Sequence, residues 1–297
     1  MPAKSSSQPT PAKPTGPYTG YTALRVAIDA GVAYVTIDHP PLNVLDATLM
    51  TELDRFATAV RPDEQVRVIV FQSADPEFFI ARGDTNFIKD PASFAKLVIG
   101  DDDASPLNPM MKLHERFRTL PQVTIAKLAG LARGGGSEFA LALDMRFAAI
   151  GRAGLAQPEV LMGIIPGGGA TAYLPPLAGR ARTLEIVLGA ELFDAELGER
   201  YGWVNRALPA EQLDGFVDAL ARRIAALPPG VAAAAKAAVD AAAGPLAEAL
   251  RTENELLGKV FVAPATVELY RAALAAGATR ADERDLEGLL NRLLNRL

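Results

Sequence analysis

Residues 66–72 read VRVIVFQ, a run dominated by β-branched and other apolar side chains, and stretches with helically spaced apolar residues flank it. A strand that is apolar at consecutive positions is buried on both faces, which calls for a sheet covered by helices on each side. The flanking segments supply such helices. PLNVLDATLMTELDRFATAV carries Leu45, Leu49, Leu53 and Phe56 on one helical stripe, with Asp46 placed as a cap. Downstream, PMMKLHERFRTL has helical spacing, QVTIAKLAG is a strand, SEFALALD a helix and MRFAAIG a further strand. Alternation of this kind predicts an α/β fold with mainly parallel pairing. Upstream, TALRVAID and VAYVTI alternate in polarity across a glycine-containing turn, which predicts a hairpin at the sheet edge.

The two ends of the chain differ from this middle. Residues 1–17, MPAKSSSQPTPAKPTGP, have no apolar periodicity and cannot bury enough surface to offset ordering entropy, so a disordered tail is expected there. The core domain is expected over 18–208. From 209 to 297 the pattern is helical, with proline and glycine breaks, and Leu286, Leu289, Leu290, Leu293, Leu294 and Leu297 form one stripe. Such a stripe packs either on its own domain or on another subunit.

Composition removes several kinds of chemistry. The 297 residues contain no cysteine, which excludes disulfides, thiol nucleophiles and cysteine-based metal sites. His39 and His114 are the only histidines and have no metal-ligand spacing, so no metal and no catalytic role is expected for them. A net charge of -5 argues against nucleic acid as a partner, while local donors can still bind an anionic small molecule. No stretch of about twenty apolar residues occurs and the N-terminus lacks a signal-peptide core, so no membrane association and a cytoplasmic location are expected.

Three segments carry possible chemistry. In GLARGGGSEF, Gly134, Gly135 and Gly136 precede a helix that includes Ser137 and Glu138, an arrangement suited to an anion-binding corner or simply to tight packing. The spacing fits neither a dinucleotide fingerprint, nor a serine nucleophile elbow, nor a phosphate-binding loop ending in G-K-S/T. In FFIARGD, Gly83 follows a strand end and precedes Asp84. In AQPEVLMGIIPGGG, Glu159 stands in an apolar setting, either exposed at a turn or paired with Glu138. Two carboxyls in one dry site split their pKa values, so that one can take a proton while the other delivers one. A glycosidase would also use paired carboxylates, but 6% aromatic residues offer few platforms for sugars.

Together, HPPLNVLD, FFIARGD, IAKLAGLARGGGSEFALALD, AQPEVLMGIIPGGG and GAELFDAELGERYGWVNRALP resemble the crotonase superfamily, the enoyl-CoA hydratases and isomerases, from about Tyr21 to Pro209. The resemblance implies a crotonase-like (ClpP/crotonase) fold of repeated ββα units with a helical C-terminal region that serves oligomerisation, assembled as homotrimers or hexamers. It implies an acyl-CoA thioester substrate, coenzyme A being part of that substrate, and no resident cofactor or metal. Backbone N–H groups of Gly83 and Gly135 fall at the oxyanion-hole positions. Pro41, Ala81, Arg82, Asp84, Gly134 and Gly136 fall in the substrate and coenzyme A segments, with the carbonyl of Ala81 at the adenine contact. Glu138 and Glu159 match the catalytic pair of the hydratases, which perform a syn addition of water to the 2,3 double bond; Glu159 falls to the C2 proton and Glu138 to the water. An isomerase, another acyl-CoA lyase of the superfamily, or a non-catalytic acyl-CoA-binding scaffold blocked by Arg82 are the alternatives. Arg82 departs from the small residue usual in the family, and pairing with a coenzyme A phosphate, closing the site with Asp84 and pointing outward are all open to it.

Overall fold

The computed structural model describes residues 16–100, 105–227, 229–241, 250–251, 254–255, 257–258, 261–262, 264–276 and 279–294. The main sheet contains β1 (Leu24–Asp29), β2 (Val32–Ile37), β3 (Val68–Ser73), β5 (Val123–Leu128), β7 (Met145–Ala149) and β10 (Arg206–Leu208), side by side in that order. The expected hairpin is its edge: β1 pairs antiparallel with β2, with Ala30 and Gly31 both at positive φ in the turn. All other neighbours in this sheet are parallel, with Val35 opposite Phe71 and Phe71 opposite Ala126.

Strand β3, the core of the run 66–72, is buried on both faces. Ile69 and Phe71 point into the core formed with α1 (Ala47–Val60) and α4 (Pro109–Arg118), whereas Val68 and Val70 meet α9 (Ala210–Ala225) through Leu213, Val217 and Ala221. Asp46 caps α1, accepting a hydrogen bond from the Leu49 N–H at 2.9 Å.

A second sheet was not visible in the sequence pattern. It contains β4 (Phe78–Ile80), β6 (Leu131–Arg133), β8 (Gly154–Ala156) and β9 (Phe193–Asp194) in that order, with β4, β6 and β8 parallel. Strands of two or three residues are too short to show a period of two. After the first unit, whose β1 and β2 both belong to the main sheet, consecutive strands go one to each sheet, as β5 and β6 do before α5 (Gly135–Ala142). This helix is held between the sheets: Phe139 stacks edge-on against Phe71 with centroids 5.2 Å apart, and Gly136 lies against Ile80 of β4. Every residue of α5 is buried, which accounts for its nearly continuous apolar sequence.

The remaining described elements are a 3-10 helix over Pro158–Met162, two short turns of helix, α2 (Asn86–Lys89) and α3 (Pro91–Ala95), then α6 (Ala170–Ala178), α7 (Arg180–Gly189), α8 (Ala195–Tyr201), α10 (Val231–Ala241), α11 (Pro264–Ala276), α12 (Arg280–Arg284) and α13 (Leu286–Leu294). The C-terminal leucine stripe packs on its own chain: Leu286, Leu290 and Leu293 form a buried cluster with Leu161, Ala190 and Leu269. Leu297 lies outside the described residues, as do residues 1–15 of the expected tail. Gly16 and Pro17, also expected in that tail, belong instead to a 3-10 turn with Tyr18. The Tyr18 ring packs 5.9 Å from Phe56 and its hydroxyl donates to Asp63 at 2.6 Å, which anchors the turn.

Candidate active site

The parallel order β4, β6, β8 places the C-terminal ends of three strands side by side, the position where α/β sheets commonly bind ligands. β4 leads to Arg82, Gly83 and Asp84, β6 to Gly134 and Gly135, and β8 through Gln157 to Glu159. One cavity of about 240 Å3 is lined by Arg82, Gly83, Asp84, Gly134, Gly135, Glu138 and Glu159. Its other walls are mostly apolar, with Phe87, Phe94, Met110, Ile164, Phe261 and Leu289 among them. Segments far apart in sequence thus meet because the short strands that precede them are neighbours.

Backbone geometry at this edge leaves two N–H groups available. Leu45 bridges Gly83 in parallel, its N–H donating to the Arg82 carbonyl and its carbonyl accepting from the Asp84 N–H. In a parallel bridge the central residue's own polar groups turn away from that neighbour, so the Gly83 N–H faces the α5 side. Gly135 is the first residue of α5, where an N–H has no acceptor within the helix. The two segments approach so closely that a Cβ on Gly135 would stand 3.2 Å from the Gly83 Cα. Gly134, at φ +49°, has a different role: a Cβ there would lie 2.7 Å from the Glu159 carboxyl.

Glu138 follows Gly135 by three residues and is almost fully buried. Its Oε1 accepts from the Gly168 N–H at 2.7 Å and the Ala170 N–H at 3.1 Å, so the carboxyl caps the N-terminus of α6. Burial pushes its pKa up to about 7, against the opposing pull of the backbone N–H groups of Ala170, Gly168 and Gly169. The glycines that supply this cap are held from α4. Asn108 donates to the Gly167 carbonyl at 2.7 Å. The His114 Nδ1 donates to the Gly168 carbonyl at 2.6 Å; since a carbonyl only accepts, Nδ1 carries the proton. Burial holds the His114 pKa down at about 4, so the ring is neutral.

Three expected positions do not line the cavity. Pro41 is exposed, with its carbonyl accepting from the Arg280 Nη1 at 3.1 Å. Ala81 is packed with Leu42 and Phe78, and Gly136 is pressed against the Ile80 carbonyl, where no Cβ fits. Arg82 neither spans the cavity nor points into solvent: its Nε donates to Glu283 at 2.7 Å and its Nη1 to the Gly83 carbonyl at 3.1 Å. Asn108, His114 and the run Gly167–Gly169 were missed as supporting residues. The second glycine run before a helix was the available signal. Among the described residues no group of three histidine or acidic side chains converges as a metal site, and no helix is long and apolar enough to cross a membrane.

The family model for enoyl-CoA hydratase/isomerase matches residues 27–269. The chain belongs to the enoyl-CoA hydratase/isomerase family. Within this family it is similar to a crystal structure from Streptomyces avermitilis named with the enoyl-CoA hydratases, at 50% identity and a TM-score of 0.87, covering 94% of this chain and all of that one. It is 30% identical to the enoyl-CoA hydratase-named echA8 of Mycobacterium bovis, over 81% of this chain and 90% of the relative. It is 28% identical to the short-chain-enoyl-CoA hydratase of Clostridium acetobutylicum, over 88% and 95% of the two chains. The family acts on acyl-CoA thioesters, and the mixed α/β architecture of this chain matches the crotonase fold of these structures.

Proposed function

We propose that the protein is a 2-enoyl-CoA hydratase. The observation that carries this is the convergence of two unlinked backbone N–H groups and two carboxyls, Glu138 and Glu159, on one largely apolar cavity. The thioester oxygen sits between the Gly83 and Gly135 N–H groups, which stabilise the charge that develops on it as the enolate forms. Glu138, anchored through Oε1 by the Gly168 and Ala170 N–H groups, orients water and takes its proton as the oxygen adds at C3. Glu159, held next to Gly134, delivers a proton to C2. Addition from one side of the double bond is syn, because both carboxyls reach the cavity beside the same oxyanion position. The reaction calls on no resident metal or redox group; coenzyme A arrives with the substrate. An isomerase needs only one acid, so the presence of both carboxyls favours hydration.

The test is to incubate purified protein with crotonyl-CoA and follow loss of the conjugated thioester absorbance. Wild type should turn over, and Glu159→Gln should lose about 10² to 10⁴ in rate. Full activity in Glu159→Gln would sink the two-acid mechanism, and absence of wild-type turnover on any 2-enoyl-CoA would sink hydration itself. The free enzyme's kcat/KM should rise through about pH 7 as Glu138 ionises. Exposed Leu177, Leu184, Leu188 and Leu192 support self-association, and sedimentation at trimer or hexamer mass would bear that out.

A further inference from the structure

The two residues that directly precede the oxyanion segments, Arg82 before Gly83 and Arg133 before Gly134, are both arginines, and both reach the same turn of the C-terminal region. The Arg82 Nε donates to the Glu283 Oε1 at 2.7 Å, and its Nη1 donates to the Gly83 carbonyl. The Arg133 Nε donates to the Glu287 Oε1 at 2.7 Å, its Nη1 to the Glu283 carbonyl at 2.6 Å and its Nη2 to the Arg284 carbonyl at 3.2 Å. Arg133 therefore satisfies carbonyls at the end of α12 that have no partner within the helix. The Arg133 and Glu283 side chains have no solvent exposure.

Burying charges this way is a poor route to stability, because the desolvation cost offsets most of the Coulombic gain. What the network does achieve is placement. The element it grips continues directly into α13, whose Leu286, Leu289 and Leu290 form part of the apolar cavity wall. On the outer side, Arg280 and Arg284 pair with Asp75 and Glu77, so α12 is held from two directions.

We propose that Arg82 and Arg133 are positioning residues: through Glu283 and Glu287 they lock the two oxyanion-bearing segments to the helix that closes the acyl side of the cavity. The role rests on the hydratase reading for its reaction, but the alignment of the thioester carbonyl can be read without turnover. A guanidinium at each position makes several directed hydrogen bonds, which a lysine ammonium reproduces only in part.

The experiment compares wild type, Arg82→Gln, Glu283→Gln, the double variant Arg82→Gln/Glu283→Gln and Arg82→Lys. Each is measured for kcat and KM on crotonyl-CoA, thermal midpoint, and the carbonyl stretching frequency of bound [1-13C]butyryl-CoA, a saturated ester that cannot be hydrated. We expect kcat to fall about 10- to 100-fold in Arg82→Gln with KM changed less than about threefold, part of the loss expected when an oxyanion donor is removed. The double variant should recover thermal midpoint, since no buried charge is left unpaired, but neither kcat nor the lowered carbonyl frequency of the bound ester. Arg82→Lys should fall between wild type and Arg82→Gln. Recovery of kcat and carbonyl frequency in the double variant would overturn the proposal, leaving the network a matter of charge balance. If wild type shows no hydration yet its bound carbonyl is shifted and the variants lose that shift, hydration fails and the positioning role stands. A wild-type carbonyl frequency equal to that of the free ester overturns the positioning role.

Discussion

The chain contains two triple-glycine runs, Gly134–Gly136 and Gly167–Gly169, and each leads into a helix, α5 or α6. Their N-terminal N–H groups have the same need for an acceptor. At α6 the protein meets that need itself, with the buried carboxyl of Glu138. At α5 the first N–H belongs to Gly135 on the cavity wall, and a substrate oxygen is the acceptor we propose. On that proposal the same backbone device serves as a cradle for the catalytic base in one place and as a binding site in the other. What separates them is whether the fold delivers its own acceptor. Glu138 links the two, because it is carried by the first helix and bound by the second.

The largest effect should come from cutting that link. Glu138→Gln keeps the shape and a neutral acceptor for α6 but removes the base, so kcat/KM on crotonyl-CoA should drop by about 10² to 10⁴, roughly 3 to 5 kcal/mol in the barrier. A loss below about threefold would mean that the two runs are not functionally joined. Next in size is Gly135→Ala, whose Cβ would press on the Gly83 N at 3.3 Å and on the Met110 Sδ at 3.2 Å. Moving the donor pair should lower kcat by about 10² with little change in KM. An unchanged kcat would detach Gly135 from the chemistry.

Gly136, one residue further, sharpens the contrast within the first run. A Cβ there would run into the Ile80 carbonyl, backbone that cannot move aside cheaply. Gly136→Ala should therefore destabilise the fold by about 1 to 3 kcal/mol or more, seen as a lower urea midpoint. A wild-type midpoint would show that the contact relaxes.

Of similar size, and spread over the pH range, is a dependence of stability on pH. Glu138 has its pKa raised in the folded protein from 4.5 to about 7, so its neutral form is favoured there. The stabilising contribution is fully present below the unfolded value and is lost as pH rises toward 7, with a slope of up to about 1.4 kcal/mol per pH unit. Glu138→Gln should remove that decline when urea midpoints are compared between pH 5 and pH 7. Parallel pH profiles for the two proteins would contradict the raised value.

Much of this was legible in the sequence wherever one short segment carries its own physics. Asp46 as a cap, the Ala30-Gly31 hairpin turn and the doubly buried β3 are local statements about propensity and burial, and each stands in the structure. Gly83, Gly135, Glu138 and Glu159, which motif order brings forward, share one cavity. What escaped depends on partners remote in sequence. Arg82 pairs with Glu283, 201 residues away, and nothing in either local pattern marks the other. The second sheet escaped because its strands are too short for periodicity, and with it the reason that the three segments meet. Gly136 looked like a member of one ligand-binding run, yet each of its glycines meets a different neighbour: Glu159, Gly83 and Ile80.

The central claim is that a thioester oxygen completes the α5 N-terminus as Glu138 completes that of α6. The most direct measurement is a crystal structure of the protein with butyryl-CoA bound. The account predicts the thioester oxygen about 2.7 to 3.1 Å from both the Gly83 and Gly135 nitrogens, with the Glu138 and Glu159 carboxyls facing C2 and C3. A thioester oxygen beyond hydrogen-bond reach of both nitrogens, or an acyl chain lying outside the cavity, would contradict it.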